Sequence, residues 1–369
     1  MYSTLSEYYL LEYPKCNAQY DFLASWQGLA WPSHILQGVA FPFQVLTFYI
    51  IVKNTPNHMS VVKWPILINH FWCTWLDFTI CAFSTPYIFL SYLGFLGVGL
   101  FSWYGIPYLF QIVLAILVAF CELDVQNMCL QNNFVSGASG SYIYLFESRS
   151  NSLQENRFKF KKSTSRFIYH VAIFILDLSL FGMFWSVPGD QDSARLQVLT
   201  LDPCPTPEFF FGNVFIVTTD TDTIRFYTWF LIPFLLFHSI GHVLFHAACT
   251  VYYIFIAPTK STSPLTRQIQ RQFFVGLIFQ TGIPVVFLAA PITYSMLAFF
   301  TDNLEQKWMN IAVIVAGLHG IGESLSVLMV HSSYRNAVWR LIPGCSAERD
   351  LVFGRRKSSK QIIMQKLSD

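Results

Sequence analysis

Residues 226–259 read FYTWFLIPFLLFHSIGHVLFHAACTVYYIFIAPT, an apolar run bounded by Arg225 and Lys260 that holds no Asp, Glu, Lys or Arg. A helix rises ~1.5 Å per residue, so about 20 apolar residues cross the ~30 Å hydrocarbon layer of a bilayer. This run exceeds that requirement. The gaps from Asp77 to Glu122 and from Arg271 to Asp302 are also free of charge, and the first is too long for one crossing. Only 12% of the 369 residues are charged, against about 25% in soluble domains. A bilayer is the solvent this implies, and disorder, a coiled coil and a disulfide miniprotein are excluded. The net charge of +2 says nothing about nucleic acid, and none is expected as a partner.

Hydropathy read against turn residues predicts an all-α membrane protein with seven helical spans near Gly28–Val52, Pro65–Tyr92, Trp103–Cys121, Phe167–Val187, Phe226–Ile256, Phe273–Phe300 and Ile311–His331. Residues 1–27 then form an extracellular N-terminus, 28–331 the transmembrane domain and 332–369 a cytosolic tail. Helices are expected because backbone groups in lipid must be paired within their own segment. Nineteen of the 23 Lys and Arg fall in the connections after spans one, three, five and seven. By the positive-inside rule the N-terminus is outside and the C-terminus cytosolic. One stretch interrupts the pattern: residues 121–136 place Glu122, Asp124, Gln126 and Asn127 where span three should run. One crossing carrying a polar insert keeps both flanking basic loops on one side.

Asp77, Asp177 and Glu323 lie within spans, where a buried acid faces the bundle interior by default. Without an intramembrane Lys or Arg, they are expected to be protonated or hydrogen-bonded to Ser, His or Tyr, with a proton or ion pathway and a conformational switch as alternatives. The same lack of lysine removes a Schiff-base retinal site. His238, His242 and His246 recur every fourth residue and share one helical face. The first and third lie ~12 Å apart along the axis, so interior hydrogen bonding is favoured over a metal. No metal or cofactor is expected. Gly-x-Ser-x-Gly, His-Glu-x-x-His and phosphate-loop motifs are absent, which argues against an enzyme. A multi-pass transporter is the runner-up reading, without the matching halves it would more often show.

Several stretches, in order along the chain, carry a family resemblance. Lys53-Asn54-Thr55-Pro56, Met59-Ser60 and Val62-Lys63-Trp64 resemble the first cytoplasmic loop of nematode serpentine chemoreceptors of the Srh class. Phe146-Glu147-Ser148-Arg149, Gln280 with Ile283-Pro284, His319-Gly320 and Ser333-Tyr334-Arg335 continue the match over most of residues 20–345. The family's Pro-Tyr-Arg is Ser-Tyr-Arg here, and the 121–136 insert departs from its pattern. The resemblance implies a rhodopsin-like chemosensory receptor of the plasma membrane, in sensory cilia, that binds an environmental small molecule and activates a heterotrimeric G protein.

Within that frame the ligand is expected between the outer halves of spans three, five, six and seven. Trp103, Tyr104, Tyr108, Tyr227, Trp229, Tyr294 and Trp308 would line it, with Gln111 as a polar handle, unless the aromatic residues serve as interfacial anchors. Glu147 and Arg149 stand where rhodopsin-like receptors carry an acidic–Arg pair, and Arg149 is expected to pair with Glu147 at rest. Tyr334 and Arg335 would open a short membrane-surface helix that contacts the G protein with its lipid-facing side in the membrane, and Cys345 could carry a palmitoyl chain. The outer end of span three lacks the cysteine that many such receptors use as a tether. Cys16 and Cys204 are the only cysteines expected on the oxidising side, and they form a disulfide or remain free thiols.

Overall fold

The computed structural model describes residues 4–16, 20–56, 60–120, 122–123, 135–136, 138–153, 155–257, 274, 276, 278–279, 282–283, 285–330 and 332–341. It is a helical membrane bundle. Five helices among these residues are long and apolar enough to cross a bilayer: Trp26–Asn54, Lys63–Phe83, Ser163–Ser186, Thr221–Ile256 and Gln306–Val330. The shorter apolar helices Tyr108–Ala119 and Val285–Phe300 belong to the third and sixth spans. Gln280, Pro284, Lys260, Arg267, Arg271 and Cys345 lie outside the described residues.

The second span ends at Phe83, short of the expected Tyr92. Its last turn is a π-helical Thr79–Phe83, after which Pro86–Phe89 and Gly94–Gly97 form an antiparallel hairpin. Pro86 supplies no N–H to a continuing helix and disfavours helical backbone at Thr85, which takes a left-handed φ of +43°. Phe215–Ile216 adds a third strand through Gly94↔Ile216 and Phe95↔Phe215. At Gly94 a Cβ would collide with the Tyr92 ring, so the turn requires glycine. The hairpin closes one end of the bundle with buried Tyr87, Phe89 and Tyr92 against Phe209 and Ile216.

This capped end is tied together covalently. Cys16 and Cys204 form a disulfide with a Cα–Cα distance of 5.6 Å. Around it the Tyr8 hydroxyl donates to the Pro203 carbonyl and the Tyr13 hydroxyl to that of Pro205, each at 3.0 Å. Burial raises the Tyr13 phenol to about 12, so it stays a neutral donor across the physiological range. Helix Leu5–Leu11, capped by Thr4, is thereby held on the segment before the fifth span, where Tyr13 packs on Phe210.

The third span is interrupted. Helix Tyr108–Phe120 has 13 residues and Ala138–Ser152 has 15, so each covers only ~20 Å and neither crosses alone. Between them Glu122–Leu123 pairs antiparallel with Val135–Ser136, in the register Glu122↔Ser136. Chain departure and return are therefore adjacent. Three apolar clusters lie among the described residues: one under the hairpin, a smaller one at the opposite end built from Ile50, Ile51, Ile66, Leu145, Phe146, Val327, Leu328 and Tyr334, and a third of Trp72, Leu76 and Val118 between spans two and three.

Because the two ends of the insert meet, deleting residues 121–136 should join the half-helices into one crossing. The expected outcome is unchanged or higher surface expression, read by surface biotinylation. Loss of surface protein would show that the insert is needed to form the span.

Candidate functional site: a buried acid–histidine core

Between the apolar clusters lies a polar layer drawn from spans one, two, three and seven. Gln37, Gln44, Asn69, His70, Asp77, Ser141, His319 and Glu323 are all buried. A polar group in an apolar interior costs several kcal/mol unless hydrogen-bonded, and each of these reaches a partner on another span or another turn. His70 Nδ1 lies 2.5 Å from Glu323 Oε2, while Asn69 donates to Glu323 Oε1 at 3.5 Å. His70 Nε2 donates to the Gln44 carbonyl at 3.1 Å. With that nitrogen committed as a donor, the His70–Glu323 contact holds one proton, on either the imidazole or the carboxyl.

Asp77 anchors the other half. Gln44 donates to its Oδ2 at 2.9 Å, Gln37 donates to Gln44 at 3.1 Å, and His319 Nδ1 stands 3.6 Å from Oδ1. The other His319 nitrogen meets the Tyr142 hydroxyl at 3.1 Å, and Ser141 donates to Asn69 at 3.0 Å. Gly320 faces the Asp77 carboxylate so closely that any Cβ would overlap it, which explains the glycine after His319. Asp77 and Glu323 thus meet histidines, one of the partner types expected of buried acids in these spans.

A second polar cluster lies at the end bearing Asn54 and Ser163. Fully buried Glu147 accepts from Arg166 Nε at 2.9 Å and Nη2 at 2.5 Å, with His170 Nε2 at 3.7 Å. The Arg166 guanidinium also lies 5.3 Å from the centre of the Tyr144 ring. Its partner at rest is therefore Arg166 of the fourth span, a correction to the expected Glu147–Arg149 pair. The helix directs Glu147 inward, while half-buried Arg149 interacts electrostatically with Tyr334. Tyr334 is bonded to Thr55 at 2.9 Å, and Arg335 donates to the Met329 carbonyl at 2.7 Å. His238, His242 and His246 form a ladder: His238 to His242 at 3.0 Å, His242 and His246 to Tyr169 at 2.7 and 3.1 Å, and His246 to Ser150 at 2.8 Å.

The residues expected to line a ligand pocket are not gathered into one. Trp103 and Tyr104 are 66% and 81% exposed, ahead of the turn at Gly105, and Trp229, Tyr294 and Trp308 are exposed as well. Among them only Tyr294 and Trp308 meet, at 6.5 Å between ring centres. Tyr227 and Tyr108 pack with the hairpin core. Gln111 is fully buried and accepts from Ser84 at 3.0 Å while donating to the Ile106 carbonyl at 2.9 Å, so it ties span three to the hairpin base. The exposed aromatic residues fit the interfacial belt. A cavity of about 410 Å³ opens instead between the start of the first span and residues 206–212.

A helical bundle of apolar spans around a buried polar layer, closed at one end by a disulfide-bonded cap, is the architecture of a multi-span helical membrane protein. The chain belongs to the serpentine type 7TM GPCR chemoreceptor Srh family, whose model matches residues 24–344. It is 29% identical over 336 residues to serpentine receptor class H-72 of Caenorhabditis elegans, covering 90% of this chain and 91% of that one. Serpentine receptor class r-10 of Caenorhabditis briggsae is 29% identical over 107 residues, or 29% of this chain and 30% of that one.

The Glu147–Arg166 contact yields a thermodynamic prediction. Removing one partner of a buried pair costs about 3–5 kcal/mol, and less where one member is partly exposed, as Arg166 is. Arg166→Ala, which leaves the buried Glu147 without its arginine, should lower the melting temperature of the detergent-solubilised protein more than the Glu147→Ala/Arg166→Ala double variant does. Additive losses would mean that the two side chains are not coupled.

Proposed function

We propose that the protein is a chemosensory receptor that binds an environmental small molecule at its disulfide-bonded end and activates a heterotrimeric G protein at the opposite end. The observation that carries this reading is the acid–histidine core, a fully buried charged layer whose members come from four spans. Apart from the Gln37–Gln44 bond within span one, its hydrogen bonds fix one span against another, so movement of span one or seven must break contacts to Asp77 or Glu323. That is the property of a two-state element biased from one end and read at the other. Outward movement of span three would separate Glu147 from Arg166 and uncover Arg149 beside Tyr334.

The orientation belongs to the same proposal. The hairpin, the disulfide and the N-terminus lie outside; the Glu147–Arg166 pair, the helix Ser332–Leu341 and the C-terminus lie in the cytosol of a sensory cell, with the protein in its plasma membrane and, by family, its cilia. The 19 to 4 distribution of Lys and Arg supports it. An epitope before Tyr2 should label intact cells, and one after Asp369 should label only permeabilised cells. The reverse pattern would overturn the orientation.

Function is tested by applying candidate odorants to cells expressing the protein with a G-protein dissociation sensor. Ligand-dependent dissociation without accumulation of the ligand in the cell is the expected result, and ligand uptake without a G-protein response would indicate a transporter. Arg149→Ala should reach the surface, because the other basic residues of that loop still hold the topology, and lose at least about tenfold in G-protein activation, as expected for one charge-assisted contact. An intact response would remove Arg149 from the coupling surface.

A further inference from the structure

We infer that the cavity of about 410 Å³ at the disulfide-bonded end is a recognition site for a small organic cation. The inference rests on the receptor reading for its biological meaning, but the site itself is argued from its walls. Asp21 and Glu208 both line it, and no Lys or Arg does among the described residues. Tyr20 and Trp26 stand at its rim, the former 75% exposed, and buried Leu96 and Val98 form the apolar floor. The volume falls within the ~300–1,000 Å³ of small-molecule sites. Two carboxylates repel an anion and offer a neutral guest at most a hydrogen bond without charge attraction, whereas they attract a cation and aromatic faces add to that attraction. Lys307, whose charge also bears on Asp21, is held at 2.5 Å by Glu305 and does not line the cavity.

The backbone connects this cavity to the core. Glu208 Oε1 accepts from the Trp26 N–H at 3.0 Å, the first residue of the first span, and Asp21 Oδ1 accepts from the Leu23 N–H at 2.9 Å. Gln37 and Gln44, which feed Asp77, lie farther along the same helix. A cation drawing Glu208 toward itself competes directly with the bond that seats that helix's N-terminus. Tyr87 reinforces the seat by donating to the Ala24 carbonyl at 2.6 Å and meeting Thr206 at 2.8 Å.

The test uses the full-length protein in zwitterionic-lipid nanodiscs and three probes of one skeleton: phenethylammonium, 2-phenylethanol and phenylacetate. Calorimetric titration, with empty nanodiscs subtracted, should give saturable binding of the cation alone at concentrations up to about 1 mM. Asp21→Asn and Glu208→Gln keep an oxygen acceptor for Leu23 and Trp26, so the fold is retained; each should weaken the cation about tenfold, the loss of one charge-assisted contact. Asp302→Asn, on the exposed loop after the sixth span, should leave it unchanged. Equal binding of all three probes, no saturable binding of the cation, or unchanged affinity in both carboxylate variants overturns the assignment. Because no G protein is present, the result is independent of the receptor reading. Cation binding without any signalling response would sink that reading alone, and signalling indifferent to ligand charge would sink this site alone.

Discussion

A carboxylate inside a bilayer must be paired, and the rest of this molecule is organised by how Asp77 and Glu323 meet that requirement. An ion carried into a low-dielectric interior without a partner costs far more than the net stability of a domain. His70 and His319 supply the partners, but each sits on the span opposite its acid: His70 on span two faces Glu323 on span seven, and His319 on span seven faces Asp77 on span two. The two contacts cross. Spans two and seven are thereby fixed in register along their axes, since a slip of one helical turn, ~5.4 Å, would break both pairs. Gly320 shows how narrow that register is, because Asp77 occupies the volume that any side chain there would need.

Much of the bundle is legible in the sequence because its signals are compositional. The charge gap after Arg225 locates span five, hydropathy read against turn residues locates spans one and four, and neither signal depends on what packs against the span. The hairpin is illegible by the same method. PYIFLSYLGFLG at 86–97 is uniformly apolar, and such a run reads equally as buried strand or buried helix. Pro86 and the glycines at 94 and 97 were the available signal, and in a protein whose spans tolerate proline they carried less weight than hydropathy. The seventh span is similar: its helix starts at Gln306, before the expected Ile311, because Gln306 and Asn310 bond to each other and to the hairpin and first-span backbone, so polar residues enter the helix.

The site was harder to read for a different reason. That Asp77, Glu323 and the span-five histidines face inward follows from the cost of exposing them to lipid. Which groups meet does not, since His70 and Glu323 are separated by 253 positions and Tyr142 and His319 by 177. Nor does a motif's position in sequence reveal where its side chain points. Glu147 and Arg149 are two apart, hence ~200° around a helix, so one faces the interior when the other faces the rim. Arg166, one span away, is better placed than the near neighbour. An aromatic lining is hard to read for a related reason: large aromatic residues near a span's end satisfy the interface and a pocket equally well by composition, and only packing separates them.

These constraints assign different roles to the two polar clusters. The acid–histidine core has every member buried and bonded to another, with Gln44, Asn69, His70, Asp77, His319 and Glu323 each joined to more than one group, so these cannot move singly; it favours a concerted change of spans over gradual deformation. The Glu147–Arg166 pair is asymmetric, with the carboxylate fully buried and the arginine 26% exposed at the bundle's edge. Arg166 can therefore exchange its carboxylate for water as the pair opens, whereas Glu147 cannot. Opening leaves a buried charge behind, and that penalty closes the pair again when the bias is removed. A latch of this kind releases only while something else holds the helices apart. Arg149, Tyr334 and Thr55 meet on the adjoining helix ends, and under the proposed function a partner inserted between them would be that brace, holding spans three and seven open.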